Sequence, residues 1–181
     1  MLAEALTKIK LSLAGEFAAQ DFDLGNIATL SSETPPVTLT LLNLKEEPAL
    51  KNTAYSRINN ATLKTEYFNP YVYLNAYLMF CSSRKTYSTA VGDIAKIIRA
   101  LQGNSIFMVD YDGDQYKVIL SIYSPTFEDM NHIWGVLGGK VYPNIIYIMR
   151  VAELKKKEAI AEGDGIIENI EQKYSVIQPK S

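Results

Sequence analysis

Residues Ser124–Val151, SPTFEDMNHIWGVLGGKVYPNIIYIMRV, decide how the rest of the chain is read. They hold the single Trp (Trp134), the single His (His132) and the one adjacent glycine pair, Gly138-Gly139. Ser124 is a good helix N-cap. Pro125 suits the first helical position, where a missing N–H costs nothing. Phe127, Met130, Trp134 and Leu137 recur at helical spacing and predict one apolar stripe. Gly138 or Gly139 supplies the left-handed residue that closes the helix. Pro143 cannot extend that helix, and Asn144–Val151 is dense in β-branched and aromatic residues, which predicts a buried strand. Trp134, Gly138, Gly139, Tyr142 and Pro143 are therefore expected to be structural. Nothing in the stretch is arranged like a catalytic site.

Working outward, 181 residues fit one domain with room for an appendage. A hydrophobic fraction of 48% with 21% charged residues is that of a globular chain able to bury its own core. The net charge of −2 argues against a general nucleic-acid surface, which would leave a basic excess. One cysteine, Cys81, excludes an intramolecular disulfide and a Cys-based zinc site. Glu4 and two lysines interrupt the opening MLAEALTKIKLSLAGEF, so it does not read as a signal peptide. No apolar run is long enough to span a membrane. The expectation is a soluble protein of a reducing cytoplasm, with no direct membrane insertion.

Leu2, Leu6, Ile9 and Leu13 predict an amphipathic helix ending near Gly15 and packing on the domain's own sheet. Gln20–Pro36 reads as a turn-rich loop, and Val37–Lys45 (VTLTLLNLK) as a strand. Glu46–Glu66 is polar and broken by Pro48 and Asn59-Asn60. It reads as a long loop, solvated or touching a partner, with Lys51, Tyr55 and Arg57 as interface candidates. Tyr67–Cys81 (YFNPYVYLNAYLMFC) predicts the second strong strand. Val72, Leu74, Ala76, Leu78 and Phe80 form a core face; Tyr71, Tyr73 and Tyr77 lie on the other. That second face suits burial against a helix or contact with another subunit.

Ser82-Ser83 is expected to cap the next helix, with Tyr87, Val91, Ile94, Ile98 and Leu101 as its stripe, Ala90, Ala95 and Ile97 widening it, and Gly103-Asn104 as its stop. Asp112-Gly113 between two alternating runs predicts a hairpin over residues 105–123. The domain is expected to span residues 1–152, with 153–181 as a C-terminal arm or tail. In that tail Lys155–Lys157 precede a Gly163-Asp164-Gly165 hinge. Ile166, Ile170 and Tyr174 then form a patch too small to fold alone, and they are further interface candidates.

Catalytic and ligand chemistry finds little purchase. DYDGDQ (residues 110–115) has the spacing that opens a calcium loop, but Gln115 stands where a glycine is needed and Ser121 where a bidentate Glu is needed. His132 has no second His or Cys to share a metal with. Its neighbour Glu128, at helical spacing, suits a surface contact better than an orienting role. Cys81 reads as a small buried hydrophobe. The glycines of the Trp134 segment end a helix, whereas anion-binding glycines precede one. No phosphate loop, dinucleotide fingerprint or nucleophile elbow is present. No catalytic residue, metal ligand or cofactor is expected.

The ordered segments LTLLNLKEEPALKN (Leu39–Asn52), NPYVYLNAYLMF (Asn69–Phe80), YSTAVGDIAKIIRALQ (Tyr87–Gln102) and FEDMNHIWGVLGGKVYPNIIYIMR (Phe127–Arg150) resemble the cap, or tail-terminator, proteins of phage-tail-like contractile injection systems. Leu42–Asn52, Pro70–Phe80 and Ile133–Tyr147 carry most of the resemblance, which spans about Leu2 to Val151. It implies an α/β fold of the α+β kind, a mixed, largely antiparallel sheet flanked by helices. It further implies a structural, non-enzymatic role: a homo-hexameric ring on the distal end of the inner tube and sheath. Such a ring ends polymerisation and couples tube to sheath. Assembly would be cytoplasmic, in a particle later released or anchored. The chain departs from the family pattern after Ala152, which keeps open an adaptor reading, in which the tail links the particle to an effector or the cell envelope.

Overall fold

A computed structural model describes residues 1–29, 35–47, 56–59, 61–67, 73–153 and 161–165. The chain divides into two compact units, Met1–Lys51 with Val72–Lys155, and Asn52–Tyr71 with Lys156–Ser181.

The first unit is built on a six-stranded sheet. Its strands are β1 (Phe22–Leu24), β2 (Val37–Glu46), β5 (Leu74–Ser82), β6 (Ile106–Tyr111), β7 (Asp114–Tyr123) and β8 (Asn144–Glu153). Their order is β1-β2-β5-β8-β7-β6. Only β1 and β2 run parallel; every other pair is antiparallel. Three α-helices and a 3-10 turn flank the sheet: α1 (Leu2–Leu13), α2 (Tyr87–Gly103), α3 (Phe127–Val136) and η1 (Ile27–Thr29). The architecture is the expected mixed α/β one.

Strand alternation sorts the core into two layers. Leu78 and Phe80 of β5, with Tyr147 and Met149 of β8, join Ile9 and Leu13 of α1 and Ile97 and Leu101 of α2. Met79 and Cys81, pointing the opposite way, join Ile146, Ile27 and Trp134. Helices α1 and α2 therefore cover one face, and α3 with η1 covers part of the other. Helix α1 touches both β1 and β6, the two edges of the sheet, so the sheet curls around it.

The local determinants differ from the sequence expectations at several points. Gln20–Pro36 is more than a loop: it contains β1 and η1. The Thr40 hydroxyl donates to Gly25 O and accepts from the Ile27 N–H, which ties η1 to β2. Ser82-Ser83 does not cap α2, whose N-cap is Thr86. Ser82 is still strand, paired with Val37, and its hydroxyl donates to Asp93. Helix α2 buries Ala90, Ile94, Ile97 and Leu101 of its expected stripe, but Tyr87 and Val91 are exposed and Asp93 is buried in addition.

The buried face thus includes a carboxylate, with Asp93 only 2% exposed. Arg84 compensates it. Its Nε donates to Asp93 at 2.5 Å and its Nη2 to Asp21 at 2.8 Å. The two carboxylates, Asp21 and then Asp93, raise the Arg84 pKa above its ordinary value. One guanidinium thus joins the segment before β1 and helix α2 to the end of β5.

Helix α3 starts two residues later than Ser124 and Pro125 suggest. Thr126 is the N-cap in a capping box: its hydroxyl accepts from the Asp129 N–H, and the Asp129 carboxylate accepts from the Thr126 N–H. At the other end Gly138 and Gly139 are both left-handed, at φ 97° and 76°. The Gly139 N–H donates to Trp134 O and the Gly138 N–H to Gly135 O, the paired bonds of a Schellman stop. The Asp112-Gly113 hairpin turn has φ 52° and 79°, as its sequence demands.

In the second unit β3 (Ser56–Ile58), β4 (Lys64–Tyr67) and β9 (Ala161–Gly165) form an antiparallel sheet in the order β3-β4-β9. The polar stretch expected to be one long loop therefore holds a hairpin. Asn59 shapes its turn, accepting from the Ala61 N–H and donating Nδ2 to Glu66. The Gly163-Asp164-Gly165 segment, expected as a hinge, is strand. The expected Tyr67–Cys81 strand is two strands, β4 ending at Tyr67 and β5 starting at Leu74.

Candidate functional site

Helix α3 covers only one end of its face of the sheet. Between the uncovered part and the helix lies a groove of about 470 Å³. Its floor comes from four strands: Leu42 of β2, Tyr77 of β5, and Tyr123 and Ile146 at the paired ends of β7 and β8. Ile133, Val136 and Leu137 of α3 form the wall. Asn43, Lys45, Asp129 and His132 stand at the polar rim.

A β-bulge opens the groove. The register of β2 against β5 shifts between Leu41 and Asn43, so Leu41 faces Leu78 and Asn43 faces Tyr77. The extra residue, Leu42, packs toward the Trp134 layer. Tyr77 and Tyr123 meet edge to face with ring centroids 5.2 Å apart, a packed aromatic floor. Beneath the helix, Trp134 is 4% exposed and packs edge-on to Tyr142 at 6.1 Å. Pro143 O accepts from the Ser82 N–H, which fixes the entry of β8 beside β5.

The polar rim does not converge on a reacting position. The Asp129 carboxylate is committed to the Thr126 cap. His132 and Lys45 are exposed. The surface is concave, and its floor is apolar and aromatic. Cys81, beneath the same face, is buried, and burial pushes its thiol up to about 12. Among the described residues no cluster of three His, Cys, Asp or Glu side chains is placed to hold a metal ion. Among them also, no helix is long and apolar enough to cross a membrane.

The interface candidates from sequence fall in different places. Tyr77 lies in the groove. Tyr73 is half-buried just before β5 and its carbonyl accepts from the Glu47 N–H, away from the groove. Arg57 pairs with Glu66 across β3 and β4 through the backbone. Lys51, Tyr55, Tyr71, Ile166, Ile170 and Tyr174 lie outside the described residues. The sequence reading missed Leu42, Tyr123 and Val136. Tyr123 could have been found from the hairpin register, which sets it opposite the strand that follows α3. It also placed Phe127 on the packed stripe of α3, yet Phe127 is 97% exposed. It begins the helix and has no core beneath it.

Comparison with known proteins places this geometry. The model of the Pvc16 N-terminal domain matches residues 4–166. Two solved structures share the fold. One is the sheath/tube terminator, in the extended state, of the extracellular contractile injection system PVC, with a TM-score of 0.60 and 13% identity. The other is the tube-terminating cap of the anti-feeding prophage, with a TM-score of 0.59 and 14% identity. The alignments take in 98% and 96% of this chain, but 66% and 60% of those proteins, less than two thirds of their lengths. No curated protein sequence matches. The family match runs through every segment whose motifs resemble tail terminators, from α1 to the end of β9: the chain belongs to the Pvc16 N-terminal domain family.

Proposed function

We propose that this protein is a structural terminator of a contractile injection system. Copies of it form a ring, six in number, on the distal end of the inner tube and sheath. The ring blocks further addition of tube and sheath subunits and holds the two together. The particle is assembled in the cytoplasm and then released or anchored.

The observation that carries this reading is the family match over residues 4–166, joined to a fold shared with a sheath/tube terminator and a tube-terminating cap. The groove supports it. Its apolar, tyrosine-floored surface is of the kind that protein interfaces bury, and its rim offers no oriented nucleophile or base. A closed ring needs two different patches per subunit, joined by a rotation that returns on itself.

The test is the length distribution of particles made without this gene. Loss of the terminator should yield tubes and sheaths of irregular, excessive length, restored by supplying the protein. Uniform, capped particles in its absence would contradict the proposal.

A further inference from the structure

Helix α3 carries two large exposed apolar side chains on opposite flanks. Phe127 and Val136 are separated by nine residues, about 2.5 turns at 3.6 residues per turn. They therefore project in opposite directions. Val136, 85% exposed, lines the groove. Phe127, 97% exposed, points away from it and touches none of the core. A knob and a groove on opposite flanks of one rigid helix cannot meet within one molecule. They can meet between two copies, and because the patches differ the contact is head-to-tail, the kind that propagates around a ring.

We propose that the groove receives Phe127 of a neighbouring copy of this chain. The inference rests on the terminator reading only in setting copies side by side around a ring. Three features favour this occupant. An exposed Phe leaves a full aromatic ring in water, and buried aromatic anchors are the side chains that dominate interface energetics. The groove is roomy enough for a phenyl ring, and the Tyr77–Tyr123 pair offers it ring faces and edges. Charge is also complementary. Glu128, exposed beside the knob, would approach the exposed Lys45 at the rim, while the acid on that rim, Asp129, is held in its own helix cap.

The experiment uses whole particles carrying a Glu128→Cys, Lys45→Cys double variant, which keeps Phe127 in place. Cys81 is buried and its thiol is held protonated, so it gives little background. Mild oxidation of capped particles should give a ladder of covalent multimers on a non-reducing gel, and the ladder should vanish when Phe127→Ala is added. A monomer band alone from capped particles overturns the docking, whether the groove is filled by the chain's own residues or by another protein. A ladder indifferent to Phe127→Ala overturns it equally. A second arm needs no cysteine. Phe127→Asp in the natural chain should leave the melting temperature unchanged and lower the capped fraction at least tenfold; normal capping overturns the docking while leaving the terminator reading intact. The terminator reading fails separately, if particles lacking the gene are uniform.

Discussion

The rings of Tyr77 and Tyr123 meet edge to face at 5.2 Å, joining β5 to the far end of β7 across the floor of the groove. Truncating either leaves its partner without a face to pack on. An aromatic pair of this geometry contributes about 0.5–1.5 kcal/mol beyond its buried area. Tyr77→Ala forfeits that term together with the ring's buried area, so it should lower stability by more than that amount and also reduce capping, whereas Tyr77→Phe should do neither. Denaturation midpoints and particle lengths, measured on both variants, check this. A Tyr77→Phe variant as defective as Tyr77→Ala would mean that the hydroxyl, not the ring, matters.

Trp134 is the largest side chain of the α3 layer, yet its buried Nε1 has no hydrogen-bond partner among the described residues. Trp134→Ala should cost about 3–5 kcal/mol, read by chemical denaturation, because it leaves a cavity under the whole helix. Tyr147 has the same defect in the opposite layer: its buried hydroxyl has no hydrogen-bond partner among the described residues. Tyr147→Phe removes that orphaned group and keeps the ring against Phe80, so it should leave stability unchanged or raise it. A marked drop in its melting temperature would reveal a partner for the hydroxyl.

Much of this architecture was legible in the sequence. Helix α1, strands β2, β5 and β8, and the Asp112-Gly113 hairpin follow from periodicity and turn chemistry, which are local. The failures share a cause. Ser82 and Ser83 look like caps, but Ser82 is consumed by pairing with Val37 and by Asp93, and Ser83 by Pro36 O. The buried Asp93 is explained by Arg84, nine residues earlier, and by the Ser82 hydroxyl. Strands β3, β4 and β9 are polar, and β9 finds β4 across about a hundred residues, so no hydrophobic pattern marks them. The groove depends on a bulge at Leu42 and on where α3 stops covering the sheet. Neither is written in hydrophobic spacing. Tyr77 was singled out from its strand face alone, while Tyr123 needed the register.

Arg84 and Asp93 should behave as a coupled pair. Arg84→Met leaves the Asp93 carboxylate buried without its main partner and should destabilise the fold by about 3–5 kcal/mol. Adding Asp93→Leu removes the stranded charge and should recover most of that loss. A double-mutant cycle by urea denaturation reads the coupling directly. Additive losses would show that the two side chains act independently.

Alkaline pH should weaken the fold. Burial raises the Cys81 thiol from its ordinary 9.0 to about 12, and it raises the Tyr147 phenol as well. Both groups stay neutral in the folded chain at pH values where the unfolded chain ionises them. Their contribution is complete below the unfolded pKa values and is lost as pH climbs through the folded ones. The denaturation midpoint should begin to fall near pH 9 and keep falling toward pH 12. Cys81→Ala should make that decline shallower; an identical decline would assign it to other groups.

The most direct measurement is a cryo-EM reconstruction of the distal end of the particle. The account predicts a ring of six copies of this chain seated on the last layer of tube and sheath, with each Phe127 in the Tyr77–Tyr123 groove of its neighbour. A distal end completed by another protein, or by tube and sheath subunits alone, would contradict it.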